Sequence, residues 1–118
     1  MLEKIVKTSI LFDFYGELLP EKQREIFRLY HEDNYSLGEI GIEYGITRQG
    51  VHEAVKRSEE KLQNYEKKLG LVKKFQDTET VLDKIKDSIE ELIYKFKENQ
   101  ELTMSLEEIK KVILKINQ

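Results

Sequence analysis

Residues 37–55 read Leu37-Gly38-Glu39-Ile40-Gly41-Ile42-Glu43-Tyr44-Gly45-Ile46-Thr47-Arg48-Gln49-Gly50-Val51-His52-Glu53-Ala54-Val55. Counted from Leu37, apolar side chains stand at the fourth, eighth, tenth, fifteenth and eighteenth positions (Ile40, Tyr44, Ile46, Val51, Ala54), with glycine at the fifth and ninth (Gly41, Gly45). Two helices crossing over a tight turn need this pattern. The apolar positions build the wedge between them. The fifth position faces the second helix at close range and must be small. The ninth lies in the turn, where φ is commonly positive and glycine is unstrained. Such a turn holds the second helix out from the body, so that its N-terminal half can enter a major groove. The stretch predicts a helix-turn-helix.

The exposed face of the second helix carries Arg48, Gln49, His52, Glu53, Lys56 and Arg57, with Thr47 capping its start. Arg and Gln can bond base edges in pairs, and Glu can accept from the amino group of cytosine. Lys and Arg neutralise phosphates, and Thr47 with the helix N-terminus can meet another. These seven residues form the candidate nucleic-acid-binding set. Against this stands the blander reading that amphipathic helix pairs joined by glycine are common and many bind no nucleic acid. Further along, Lys61, Lys67 and Lys68 are offset by Glu59, Glu60 and Glu66.

Working outward, the chain reads as six helices. The first spans about 2–18, and its apolar residues (among them Ile5, Val6, Phe12, Phe14 and Leu18) cover more than one stripe. It is therefore expected to be buried on more than one side, or to form part of a subunit interface. Pro20 is expected at the first position of a second helix, 20–32, where its missing N–H costs nothing. Ile26, Phe27 and Tyr30 share a face of it. Asp33-Asn34-Tyr35 reads as a turn. Ser36, three residues before Glu39, has capping-box spacing and opens the short third helix, which ends at Gly45. The fourth runs from Thr47 to Leu69, and Gly70 stops or kinks it.

Beyond Gly70, residues Phe75, Thr78, Leu82, Ile85, Ile89, Leu92 and Phe96 follow a heptad seam. Residues 99–104 read as a loop. Ser105 with Glu108 repeats the capping-box spacing, and Leu106, Ile109, Ile113 and Ile116 continue at helical intervals. The long helix either folds back on the last one as a hairpin or pairs with a copy of itself as a coiled coil. The expected organisation is a helix-turn-helix domain over 1–70 and a helical extension over 71–118, packed on it or used for dimerisation.

Composition narrows the function. There are 20 basic and 23 acidic residues, a formal net charge of −3, so any polyanion contact must come from one local face. The chain has no cysteine, which excludes disulfides, thiol nucleophiles and Cys-based zinc sites. One Pro and six Gly favour helix. No apolar run is long enough for a membrane span, and the first residues read as amphipathic, not as a signal peptide. The expected location is the cytoplasm. His52-Glu53-Ala54-Val55-Lys56 begins like a zinc-protease helix but lacks the second His. His31 has no partner ligands at a suitable spacing, and both histidines read as surface or groove residues. No phosphate loop, Ser–His pair or paired-carboxylate cleft is present, so the chain reads as a non-enzyme without cofactor or metal.

Several separated motifs also resemble one known family. Leu18-Leu19-Pro20-Glu21-Lys22-Gln23-Arg24, Tyr35-Ser36-Leu37-Gly38-Glu39-Ile40-Gly41 and Ile46-Thr47-Arg48-Gln49-Gly50-Val51 are similar to region 4 of sigma-70-type factors. With Phe12-Asp13-Phe14-Tyr15 and Tyr65-Glu66-Lys67-Lys68-Leu69 they resemble the small bacterial YlxM family. The likeness covers about 5–75 and fades beyond, leaving a tail that looks long for the family. The resemblance implies an all-α, sigma-region-4-like fold, no catalytic residues, and a role in the signal recognition particle pathway. That family more often has Ala at the position of Gly41 and commonly Tyr at that of His52.

The leading expectation is a nucleic-acid-binding regulator or adaptor, its partner being DNA or the RNA of the signal recognition particle. The alternative is a protein-binding scaffold whose face meets the particle's GTPase. The oily first helix and the heptad seam together predict a homodimer.

Overall fold

The computed structural model describes residues 2–118, and every element is a helix: α1 (Leu2–Tyr15), α2 (Glu21–His31), α3 (Leu37–Tyr44), α4 (Arg48–Leu69), α5 (Leu71–Lys95) and α6 (Gln100–Ile113), with a 3₁₀ turn at Gly16–Leu18. Two compact units divide after Val72.

The first unit holds two apolar clusters. One joins Leu11, Phe12 and Tyr15 of α1 with Leu19, Phe27, Leu62 and Val72. The other joins Ile26, Ile40, Val51 and Val55, the wedge of the helix-turn-helix, with Leu37, Tyr44, Ile46 and Ala54 packed against it. The neighbours Ile26 and Phe27 on α2 serve different clusters, and α4 is long enough to serve both. Its N-terminal half seats the wedge, and its C-terminal half, through Leu62, lies on the α1 cluster. α4 is thereby fixed at two levels, which sets the direction of its exposed face.

Local sequence explains the boundaries. The Ser36 hydroxyl accepts from Glu39 N–H at 3.0 Å, and the Glu39 carboxylate accepts from Ser36 N–H at 3.1 Å, so the capping box is closed in both directions. Those bonds hold the Glu39 carboxyl below the usual carboxylate range, the backbone bond from Ser36 contributing most. Gly45 and Gly70 close α3 and α4 in the left-handed region, with φ of 67° and 62°. At Gly70 the chain turns directly into α5.

The Tyr15 hydroxyl secures that start. It donates to Glu66 Oε1 at 2.5 Å and accepts from Leu71 N–H at 3.1 Å, while Val72 N–H donates to the same carboxylate oxygen at 3.0 Å. Two otherwise unpaired donors in the first turn of α5 are thus satisfied by side chains of the first unit. Burial first, and then the bond to Glu66, raise the Tyr15 phenol above its ordinary pKa.

Several expectations require correction. α1 buries one stripe, Thr8, Leu11, Phe12 and Tyr15, and leaves Ile5, Val6 and Leu18 exposed. It ends at Tyr15 because the chain tightens at Gly16, whose carbonyl accepts from Leu19 N–H at 3.1 Å. Pro20 is the N-cap of α2, one position before the helix. Tyr30 stands partly in solvent while Ile26 and Phe27 are buried. Residues 100–104, expected as loop, belong to α6, which starts at an N-cap Asn99 whose side chain accepts from Leu102 N–H at 3.0 Å. Ser105 and Glu108 lie inside that helix, and no cap forms there.

In the second unit α5 and α6 run antiparallel as a hairpin. The Asn117 side chain donates to the Phe75 carbonyl and to Glu79 Oε1, both at 3.2 Å, and Lys110 meets Glu90 at 3.3 Å. Ile89 and Leu106 are buried in it, whereas Ile85, Leu92 and Phe96 of the expected seam are exposed. The partly or fully buried stripe runs through Phe75, Thr78, Leu82, Lys86, Ile89 and Ile93.

Candidate nucleic-acid interface

The helix-turn-helix turn is closer than its spelling suggests. Ile46 N–H donates to the Gly41 carbonyl at 2.9 Å. A Cβ on Gly41 would stand 2.7 Å from the Ile46 carbonyl oxygen. The demand for a small fifth residue therefore comes foremost from the backbone of the turn.

Beyond the turn, the Thr47 hydroxyl accepts from Gly50 N–H at 2.9 Å and caps α4. Val51, Val55, Ser58 and Leu62 are buried along one side of α4. Thr47, Arg48, Gln49, His52, Glu53, Lys56 and Arg57 are all exposed. At 3.6 residues per turn the six helical members occupy about half the circumference, opposite the buried stripe. α4 carries no acidic residue in its first turn, so no carboxylate there opposes a negative group near its N-terminus.

The face is mixed in charge: Arg48, Lys56 and Arg57 stand against Glu53. Gln49 Nε2 donates to Glu53 Oε1 at 3.4 Å, a long bond between two groups that can both read bases. The sequence reading missed this coupling, although the i,i+4 spacing signals it. Lys61, expected to be offset by neighbouring glutamates, donates its ammonium to Gln23 Oε1 of α2 at 3.2 Å. His31 is the groove residue of the two: it is partly buried and lines a shallow groove with Ile5, Tyr30, Asn34 and Tyr35. Its ring stacks on Phe27 at 4.3 Å, its Nε2 lies 3.0 Å from Glu59 Oε1, and its side chain is only 13% exposed. It ties α2 to α4. Tyr44 does the same for α3 and α2, donating to Glu25 at 2.9 Å. Among the described residues no group of three His, Cys, Asp or Glu could hold a metal ion.

Residues 2–103 match the model of the family described as "Putative helix-turn-helix protein, YlxM / p13 like". The chain belongs to this family, UPF0122. It is 47% identical over 109 residues to a UPF0122 protein of Thermoanaerobacter sp. (strain X514), covering 92% of each chain. It is 43% identical over 111 residues to the UPF0122 protein YlxM of Bacillus subtilis (strain 168), covering 94% of this chain and 97% of that one. A UPF0122 protein of Geobacillus sp. (strain WCH70) is 40% identical over 112 residues, 99% of its length. These spans correct the expectation that the likeness fades near residue 75. The family extends into α6, and the tail is of ordinary length for it. Among the described residues no helix is long and apolar enough to cross a membrane.

Proposed function

We propose that this UPF0122 protein is a cytoplasmic nucleic-acid-binding regulator or adaptor that acts by binding and performs no catalysis. The observation that carries the reading is the exposed half-circumference of α4, where Arg48, Gln49, His52, Glu53, Lys56 and Arg57 stand in solvent while Val51, Val55 and Ser58 anchor the helix beneath. Arg48, Gln49 and Glu53 suit base edges, and Lys56, Arg57 and the Thr47-capped N-terminus suit phosphates. Residues 1–70 supply the reading domain and 71–118 support it. The partner is duplex DNA or the RNA of the signal recognition particle.

Binding of both nucleic acids across a salt series tests this. With about four phosphate contacts, log K falls against log salt with a slope of roughly −3 to −4. Arg48→Ala combined with Lys56→Ala weakens binding. Absence of binding at low salt, or a double variant that binds as wild type, overturns the assignment. A second reading, a protein-binding face for the particle's GTPase, draws on Ile42, which is 86% exposed on α3, and on the modest positive excess of α4. A pull-down after nuclease treatment separates the two: a complex that survives favours protein contact.

A further inference from the structure

The hairpin of the second unit carries more apolar surface than its two helices cover. On α5, Val81, Ile85 and Leu92, with Phe96 just past its end, are 40–55% exposed. On α6, Ile109 and Val112, with Ile116 just past its end, are 48–62% exposed. At 3.6 residues per turn the α5 stripe lies about 75° from the stripe turned toward α6, on the side of smaller helical angle. On α6 the exposed stripe lies about 80° from the inward one, in the same sense. Antiparallel helices seen from one end turn in opposite directions, so equal offsets bring both stripes to the same side of the hairpin. The seven residues form one two-helix apolar face.

We propose that this face is the contact surface for a second copy of the chain, two hairpins packing face to face as a four-helix bundle. The inference is independent of nucleic-acid binding. Three observations support a second copy as the occupant. The first is area. Each of the seven side chains exposes on the order of 80 Å², so two copies would bury about 1,100 Å² before their rims are counted, and a specific interface needs roughly 1,000 Å².

The second is charge. The second unit has nine basic and ten acidic residues (20 − 11 and 23 − 13, the first 70 residues holding 11 and 13, with Leu71 and Val72 uncharged). With a net charge of −1 it opposes a copy of itself little and selects neither a polyanion nor a polycation. The third is pattern. The outer rim of the α5 stripe runs Asp77, Lys84, Glu91, Lys95, alternating in sign, with Asp77 also paired to Lys73 of its own helix at 2.8 Å. When α5 meets its own copy antiparallel, Asp77 comes opposite Lys95, Lys84 opposite Glu91, and Val81 opposite Leu92. The midpoints of these three pairs all fall between residues 86 and 88, so a single two-fold axis serves ion pairs and apolar pairs together. Such an interface is self-complementary, as a two-fold dimer requires.

Light scattering on the full chain in the micromolar range tests this and should give twice the monomer mass. Ile85→Glu and Val112→Glu, both at exposed positions, should weaken the dimer roughly tenfold or more with unchanged far-UV circular dichroism. Lys84→Glu and Glu91→Lys should each weaken it, and the two together should restore it. The chain has no cysteine of its own, so Ser88→Cys, beside the proposed axis, should form a disulfide-linked dimer on oxidation while Tyr94→Cys, on the far side of α5, should not. A wild-type monomer throughout the range, a dimer that Ile85→Glu leaves intact, or a Ser88→Cys chain that fails to cross-link overturns the proposal.

Discussion

Gly41 shows how a single residue sets the geometry of α4. The Ile46 carbonyl oxygen lies 2.7 Å from where its methyl would be, too close for contact, so Gly41→Ala has to push the turn open and tilt the start of α4. Alanine's better helix propensity, worth up to ~1 kcal/mol, is outweighed by overpacking that costs about 1–3 kcal/mol. Gly41→Ala should therefore lower stability in chemical denaturation and weaken nucleic-acid binding, although it touches no ligand. Tyr15 offers a test by pH. Its folded-state pKa is raised, so its contribution is fully present below the unfolded value of about 10 and is lost as pH rises through the folded value. Tyr15→Phe also leaves Glu66 and the Leu71 N–H without their hydroxyl partner, a loss of about 1–3 kcal/mol at neutral pH. Thermal melts should show the variant less stable at pH 7 and flatter in its decline above pH 10. Some decline should persist, because the partly buried Tyr44 phenol, bonded to Glu25, is raised as well.

At the scale of elements, the same spelling gave two outcomes. Ser36 and Glu39 cap α3 because the residues before them turn, with Asn34 at φ 57° interrupting the helical path. Ser105 and Glu108 have identical spacing yet lie within α6, because Asn99 caps earlier and the residues between continue the helix. Capping chemistry marks a start only where the preceding backbone is not already helical, and that depends on a turn several residues away. Ser36→Ala should thus cost about 1 kcal/mol, whereas Ser105→Ala, exposed in a helix interior, should be neutral or stabilising by up to ~0.5 kcal/mol; urea titrations of the two variants decide this. The heptad seam of α5 went astray for a related reason. A strict seven-residue repeat drifts about 20° per heptad against a 3.6-residue helix. Over three heptads the inward stripe therefore moves from Phe75 and Leu82 to Ile89 and Ile93, leaving Ile85, Leu92 and Phe96 outside. The helix-turn-helix was legible because its wedge and glycines lie within two short helices, over which no such drift accumulates.

At the scale of the molecule, burial is unevenly divided. In the first unit Phe27, Ile40, Val51 and Leu62 are sealed from solvent in two clusters that share α2 and α4. In the second, Ile89 and Leu106 are the buried apolar residues of 46 positions, Lys73–Gln118. Isolated helices are marginal without an apolar face to pack on, and a hairpin of two covers only part of each. The two units should therefore differ in autonomy. A fragment of residues 1–72 should remain helical and unfold cooperatively. A fragment of residues 73–118 should show weak helicity when dilute and gain helicity with concentration as its open face finds a copy. Circular dichroism of each fragment over a hundredfold range of concentration measures this. A second fragment that is fully helical when dilute, with no dependence on concentration, would show that the hairpin is stable alone and that its apolar face needs no cover to hold the fold.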